Sequence, residues 1–123
     1  MNEVATRKLT SEEYGLARWL LEHGNEQAKD YLEQLDKAEA TLWKCECGCA
    51  SFNFKVQNLP EAEPGVNILS DYVFGEGESH AGVFIYSSGE ILSGLEVYGL
   101  GDDAPSELPS PSEIMPFQGA DDA

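Results

Sequence analysis

Ala81-Gly82-Val83-Phe84-Ile85-Tyr86-Ser87-Ser88-Gly89-Glu90-Ile91-Leu92-Ser93-Gly94-Leu95-Glu96-Val97-Tyr98 reads as two strands joined by a tight turn. Residues 81–86 and 91–98 carry the β-branched and aromatic side chains that suit a pleated surface, and Gly89 offers the positive φ that a hairpin turn demands. Side chains of a strand alternate between faces. Val83 and Ile85 therefore oppose Phe84 and Tyr86 in the first run, and Ile91, Leu95 and Val97 oppose Leu92 and Tyr98 in the second. A pair that is apolar on both faces belongs at the centre of a sheet, covered on both sides.

Working towards the N-terminus, Gly75-Glu76-Gly77-Glu78-Ser79 is a turn and residues 66–74 are another strand. Asn58-Leu59-Pro60-Glu61-Ala62-Glu63-Pro64-Gly65 is a loop, bounded by prolines that cannot donate to a ladder. Phe52, Phe54 and Val56 alternate with Asn53 and Lys55, so period-2 patterning begins near Thr41. Before it the period is helical. Thr10 and Glu13 are spaced as a capping box, Leu9 and Tyr14 as a hydrophobic staple, and Gly24 closes a helix over about residues 11–23 in the left-handed conformation. Asn25 caps a second helix in which Ala28, Tyr31, Leu32, Leu35 and Ala38 share one face. The fold class is α+β: an N-terminal helical hairpin packed on an antiparallel meander sheet of four to five strands, followed by a flexible C-terminal tail. Residues 1–101 form the single domain, and 102–123 an acidic, Pro-rich and mostly disordered tail in which Ile114, Met115 and Phe117 are an apolar cluster able to dock.

A chain of 123 residues with five Phe, five Tyr and two Trp has the apolar material for one core. The charge is lopsided: 7 Lys and Arg stand against 23 Asp and Glu, a net −16, and no Lys or Arg follows Lys55. Nucleic-acid binding requires cations that displace counterions from phosphates, so direct nucleic-acid binding is excluded, and an anionic membrane surface is disfavoured for the same reason. No run approaches the length of a membrane span and the first residues lack the apolar core of a signal peptide, which leads us to expect a cytoplasmic protein. Three cysteines between Cys45 and Cys49 do not form a disulfide framework and agree with a reducing compartment.

Two sets of residues carry chemistry. Cys45, Cys47 and Cys49, with His80 (or His23) as a fourth ligand, have donor types and a Cys45–Cys49 separation that suit zinc. Against that, alternate residues of an extended segment lie about 6.6 Å apart, too far to share one ion, and a second cysteine pair is missing. Buried, inert cysteines are the plainer reading. A reactive thiol is disfavoured by Glu46, and His23 reads as a helix-end residue. The second set is acidic: Asp71, Glu76, Glu78, Glu90 and Glu96 lie in or beside the strands and would present carboxylates to a basic protein partner. No catalytic motif accompanies them, so an enzyme is the less favoured class, and the sequence does not order oligomeric states.

The succession of the helix ending Trp19-Leu20-Leu21-Glu22-His23-Gly24, then Cys47-Gly48-Cys49, then Ser93-Gly94-Leu95-Glu96-Val97-Tyr98 resembles a family of small bacterial proteins without an assigned activity. More faintly, it looks like the acidic immunity proteins that accompany bacterial toxins. The likeness itself implies no activity. The absence of Lys and Arg after Lys55 leads us to expect a non-catalytic acidic protein that engages a basic partner and needs no cofactor; the alternative is a small zinc-binding protein or enzyme using the Cys45–Cys49 cluster.

Overall fold

The computed structural model describes residues 6–42, 50–57, 59, 65–75, 80–99 and 108–116. The first helix, α1, spans Ser11–Glu22 and starts as its sequence dictates: Thr10 Oγ accepts from Glu13 N, and Glu13 Oε1 accepts from Thr10 N. Leu9 and Tyr14 pack against the core beside this cap. Leu16, Leu20 and Leu21 recur at helical spacing and are each at most 1% exposed. Burial of such a side chain contributes about 1.5–3 kcal/mol, which is what fastens α1 to the sheet.

The joint after α1 differs from expectation. Gly24 is absent from the positive-φ residues; a Cβ there would collide with the Leu69 carbonyl oxygen and approach Ser70 Cβ to 2.9 Å. Glycine is needed for close approach rather than for a left-handed turn. Asn25 then ties the joint to the sheet, its N–H donating to Leu69 O at 2.8 Å and its side-chain amide to Ile68 O at 3.1 Å. The second helical segment is also shorter than its periodicity predicts, a 3₁₀ turn at Ala28–Tyr31 running into α2 at Leu32–Asp36. Ala38 leaves the helix for a strand because the neighbouring strand edge offers backbone partners that a helix would leave unpaired.

Among the described residues the sheet has seven strands, more than the four to five expected: β1 (Thr6–Arg7), β2 (Ala38–Thr41), β3 (Phe52–Val56), β4 (Asn67–Phe74), β5 (Ala81–Ser88), β6 (Ile91–Gly99) and β7 (Met115–Pro116). All pairings are antiparallel, in the order β1-β2-β3-β6-β5-β4-β7. β4, β5 and β6 are the meander, and β3 joins beyond β6, which leaves the β5–β6 hairpin central. Its turn is only two residues, Gly89 and Glu90, with φ of 60° and 66°, a type I′ geometry that matches strand twist.

The helices pack on one face of this sheet, where Phe52, Phe54, Val56, Val83, Ile85, Leu95 and Val97 form the core with them. The opposite face, expected to be covered as well, carries half-buried side chains instead. Residues 108–116, placed by sequence in the tail, are folded: β7 pairs with Tyr72 and Val73, and Ile114 is 8% exposed in the core. Of the apolar cluster, Ile114 is thus buried and Met115 is exposed, while Phe117 lies outside the described residues.

Candidate functional site

Register assembles a site on the face away from the helices. Asp71, Phe84 and Glu96 are Cα partners in one row across β4, β5 and β6. One neighbouring row is Val73, Gly82 and Tyr98; the other is Ile68, Tyr86, Gly94 and Asn53. Paired residues share a face, so Phe84 lies between two tyrosines with a carboxylate on either side. The ring centroids of Phe84 and Tyr86 are 5.6 Å apart and those of Phe84 and Tyr98 are 5.8 Å apart. Ile68, 44% exposed, extends the apolar surface at the β4 edge.

Two glycines hold the tyrosines down. A Cβ on Gly82 would run into the Tyr98 ring, and one on Gly94 would sit 2.5 Å from Tyr86 Oη. Each tyrosine lies across the bare backbone of the adjacent strand, a close approach that any side chain at the glycine would block. Tyr98 Oη reaches on to donate to Asp71 Oδ1 at 3.2 Å.

The electrostatics of the face follow from partial burial without a Lys or Arg ion-pair partner among the described residues. Burial pushes the Asp71 carboxyl above its ordinary range, against the opposing hydrogen bond from Tyr98. Tyr98 is pushed up to about 12, first by burial and then by the Asp71 charge and hydrogen bond and the Glu96 charge. Tyr86 is raised by burial and by Glu96. The ion pairs among the described residues, Arg7–Glu13 and Arg18–Glu22, lie elsewhere. Lys55, on the same face of β3, donates to the carbonyl oxygens of Val56 and Leu59 at 3.2 and 2.5 Å. Three electron-rich rings beside two carboxylates that lack a Lys or Arg partner within the described residues form a surface suited to an incoming cation.

Of the acidic residues singled out by sequence, the structure brings Asp71 and Glu96 together and leaves Glu90 apart. Glu90 instead borders a cleft of about 360 Å³ with Asp30, Gln27, Gln34 and Asn67 on the helix side. Glu76, Glu78, Cys45, Cys47 and Cys49 lie outside the described residues. His80 precedes β5, half-buried, and no three His, Cys, Asp or Glu side chains among the described residues converge as metal ligands. His23 caps α1: its Nδ1 is 2.8 Å from Trp19 O, its ring stacks on Trp19 at 4.1 Å, and its carbonyl accepts from Tyr72 Oη at 2.7 Å.

Comparison of the chain with protein-family models, with curated proteins and with solved structures returned no match. The site is therefore read from its own chemistry. Among the described residues no helix is long and apolar enough to cross a membrane. Sequence reasoning passed over Phe84, Tyr86 and Tyr98, which it assigned to a covered face. The available signal was chemical type: one face of the hairpin is aliphatic, with Val83, Ile85, Leu95 and Val97, whereas the other is aromatic and punctuated by Gly82 and Gly94.

Proposed function

We propose that the protein is a non-catalytic acidic binding protein that engages a basic protein partner through the Asp71–Phe84–Glu96 face. The observation that carries this reading is the row itself: two carboxylates flank an aromatic ring, and neither has a Lys or Arg partner among the described residues. Net charge of −16 adds long-range attraction for a cationic surface, which accelerates encounter and sharpens selection more than it raises affinity. A toxin nuclease or a DNA-binding protein, whose phosphate-contacting surface is basic, has the right chemistry, and binding there would place the acidic face where phosphates would otherwise lie.

The test is capture of a purified basic nuclease or DNA-binding protein by the full chain and by an Asp71→Asn/Glu96→Gln variant, each at low and high salt. Capture that is lost in the variant and weakened by salt supports the reading. Binding that is indifferent to both the substitutions and salt overturns it.

A further inference from the structure

We infer that the Asp71–Phe84–Glu96 row is a receptor for a single arginine side chain of the partner, stacked on Phe84 with its planar edges towards the two carboxylates. The inference rests on the basic-partner reading and narrows it from a charged surface to one residue type.

The spacing argues for it. Neighbouring strands lie about 4.8 Å apart, so the Cα atoms of Asp71 and Glu96 stand about 10 Å apart with the Phe84 ring between them. A guanidinium is planar, has donors along its edges, and is weakly enough hydrated to lie flat on a ring. It addresses both carboxylates while stacked. An ammonium is a compact, strongly hydrated point charge that satisfies one carboxylate and loses more hydration on contact with the ring. Tyr86 and Tyr98, tilted at 46° and 54° to Phe84, wall the stacking position on either side. Tyr98 also keeps its hydroxyl on Asp71 Oδ1, which orients that carboxylate before any ligand arrives.

Other occupants fit the face less well. A second copy would bring a further −16 of like charge. The chain's own segments outside the described residues contain Lys44 as their single Lys or Arg, against Asp102, Asp103, Glu107, Asp121 and Asp122 among their carboxylates. A cationic group from another protein is the occupant that charge complementarity selects.

The experiment titrates the full chain with two synthetic peptides of equal length and charge, one of alternating Arg and Gly and the other of alternating Lys and Gly, followed by amide and aromatic NMR shifts at low and high salt. The arginine peptide is expected to bind about tenfold more tightly, with shifts centred on Phe84, Tyr86 and Tyr98. Phe84→Leu should bring it to the affinity of the lysine peptide while leaving the lysine peptide unchanged, and the exposed Glu96→Gln should weaken the arginine peptide without touching the core. Spectral dispersion reports whether each variant is folded. Equal affinities for the two peptides at this face would overturn the arginine assignment and leave the basic-partner reading standing. Shifts centred elsewhere, or no salt-sensitive binding of either peptide, would overturn both.

Discussion

Tyr98 on β6 lies across Gly82 of β5 and donates its hydroxyl to Asp71 Oδ1 on β4 at 3.2 Å, so that one side chain spans three strands. The contact joins a phenol whose proton is held up to about 12 with a carboxyl that burial has raised above its ordinary range. The Asp71 charge disfavours ionisation of the phenol, whereas the phenol's hydrogen bond favours ionisation of Asp71 and only partly offsets the effect of its burial. The part-buried Asp71 charge therefore costs stability at neutral pH, and a bound cation would relieve that cost.

Asp71→Asn is accordingly expected to stabilise the fold while weakening partner binding. A carboxyl whose folded pKa lies above its unfolded value contributes stability that is present below the unfolded pKa and is lost as pH rises through the folded one. Removing the charge should therefore raise the melting temperature near pH 7 and have little effect below about pH 3. The gain should be about 0.5 kcal/mol or less, because the carboxyl remains partly solvated and is screened. In the same variant the Tyr98 phenol should titrate lower than in the parent, read from its ring carbon shift against pH. An unchanged Tyr98 titration would show that Asp71 does not act on it.

At the other end of the chain the sign is opposite. Glu13 is 9% exposed; burial pushes its carboxyl up, yet the hydrogen bonds from Arg7 and Thr10 and the Arg7 charge outweigh burial and hold it below the usual carboxylate range. Both carboxylate oxygens are 2.8 Å from Arg7 guanidinium nitrogens, which also pins the short strand β1 to α1. Stability from a depressed carboxyl is present above the unfolded pKa and fades as pH falls through the folded value. Glu13→Gln should cost about 1–2 kcal/mol in a denaturant melt at pH 7, and the difference should shrink steadily on acidification below about pH 4. A cost that is independent of pH would mean that shape rather than charge is what the site requires.

Gly24→Ala tests the reason given for that glycine. The new methyl would meet the Leu69 carbonyl oxygen, Ala28 Cβ at 2.7 Å and Ser70 Cβ at 2.9 Å, so the α1 joint must move off β4. A loss of about 1–3 kcal/mol is expected, as for other overpacked positions. Were left-handed geometry the reason instead, Gly24→Asn would largely rescue the fold; steric exclusion predicts that Asn is at least as damaging as Ala.

The α1 cap, the aliphatic core face and the β5–β6 hairpin were legible because each is written in local sequence: Thr10 with Glu13, alternating Val83, Ile85, Leu95 and Val97, and Gly89 at the turn. What escaped depends on partners far along the chain. Ala38 continues the helical period of Ala28, Tyr31, Leu32 and Leu35, but β3 draws it into a strand opposite Val56. Ile114 stands out in the tail as part of an apolar cluster able to dock, but only the core residues far from it in sequence show that it is buried. The candidate site was half legible. Asp71 and Glu96 stood out as strand carboxylates, but only register shows that Phe84 lies between them, and register is a relation among three strands that no single segment encodes.

Glu90 offers the sharpest separation of the two acidic regions. It holds φ at 66°, a left-handed conformation that costs a residue bearing a Cβ roughly 1–2 kcal/mol, and its carbonyl accepts from Gln34 Nε2 at 3.0 Å while Gln34 Oε1 accepts from Leu92 N at 2.7 Å. Those two bonds clamp the turn to α2 through its backbone, so the Glu90 side chain is dispensable for the clamp. Glu90→Gly should therefore stabilise the protein by about 0.5–1 kcal/mol and leave cation binding at the Asp71–Phe84–Glu96 face within about twofold of the parent. A denaturant melt and a peptide titration on the same sample decide it. Loss of binding in this variant would shift the binding surface towards the cleft beside Asp30, and loss of stability would mean that the Glu90 carboxylate has a structural partner there.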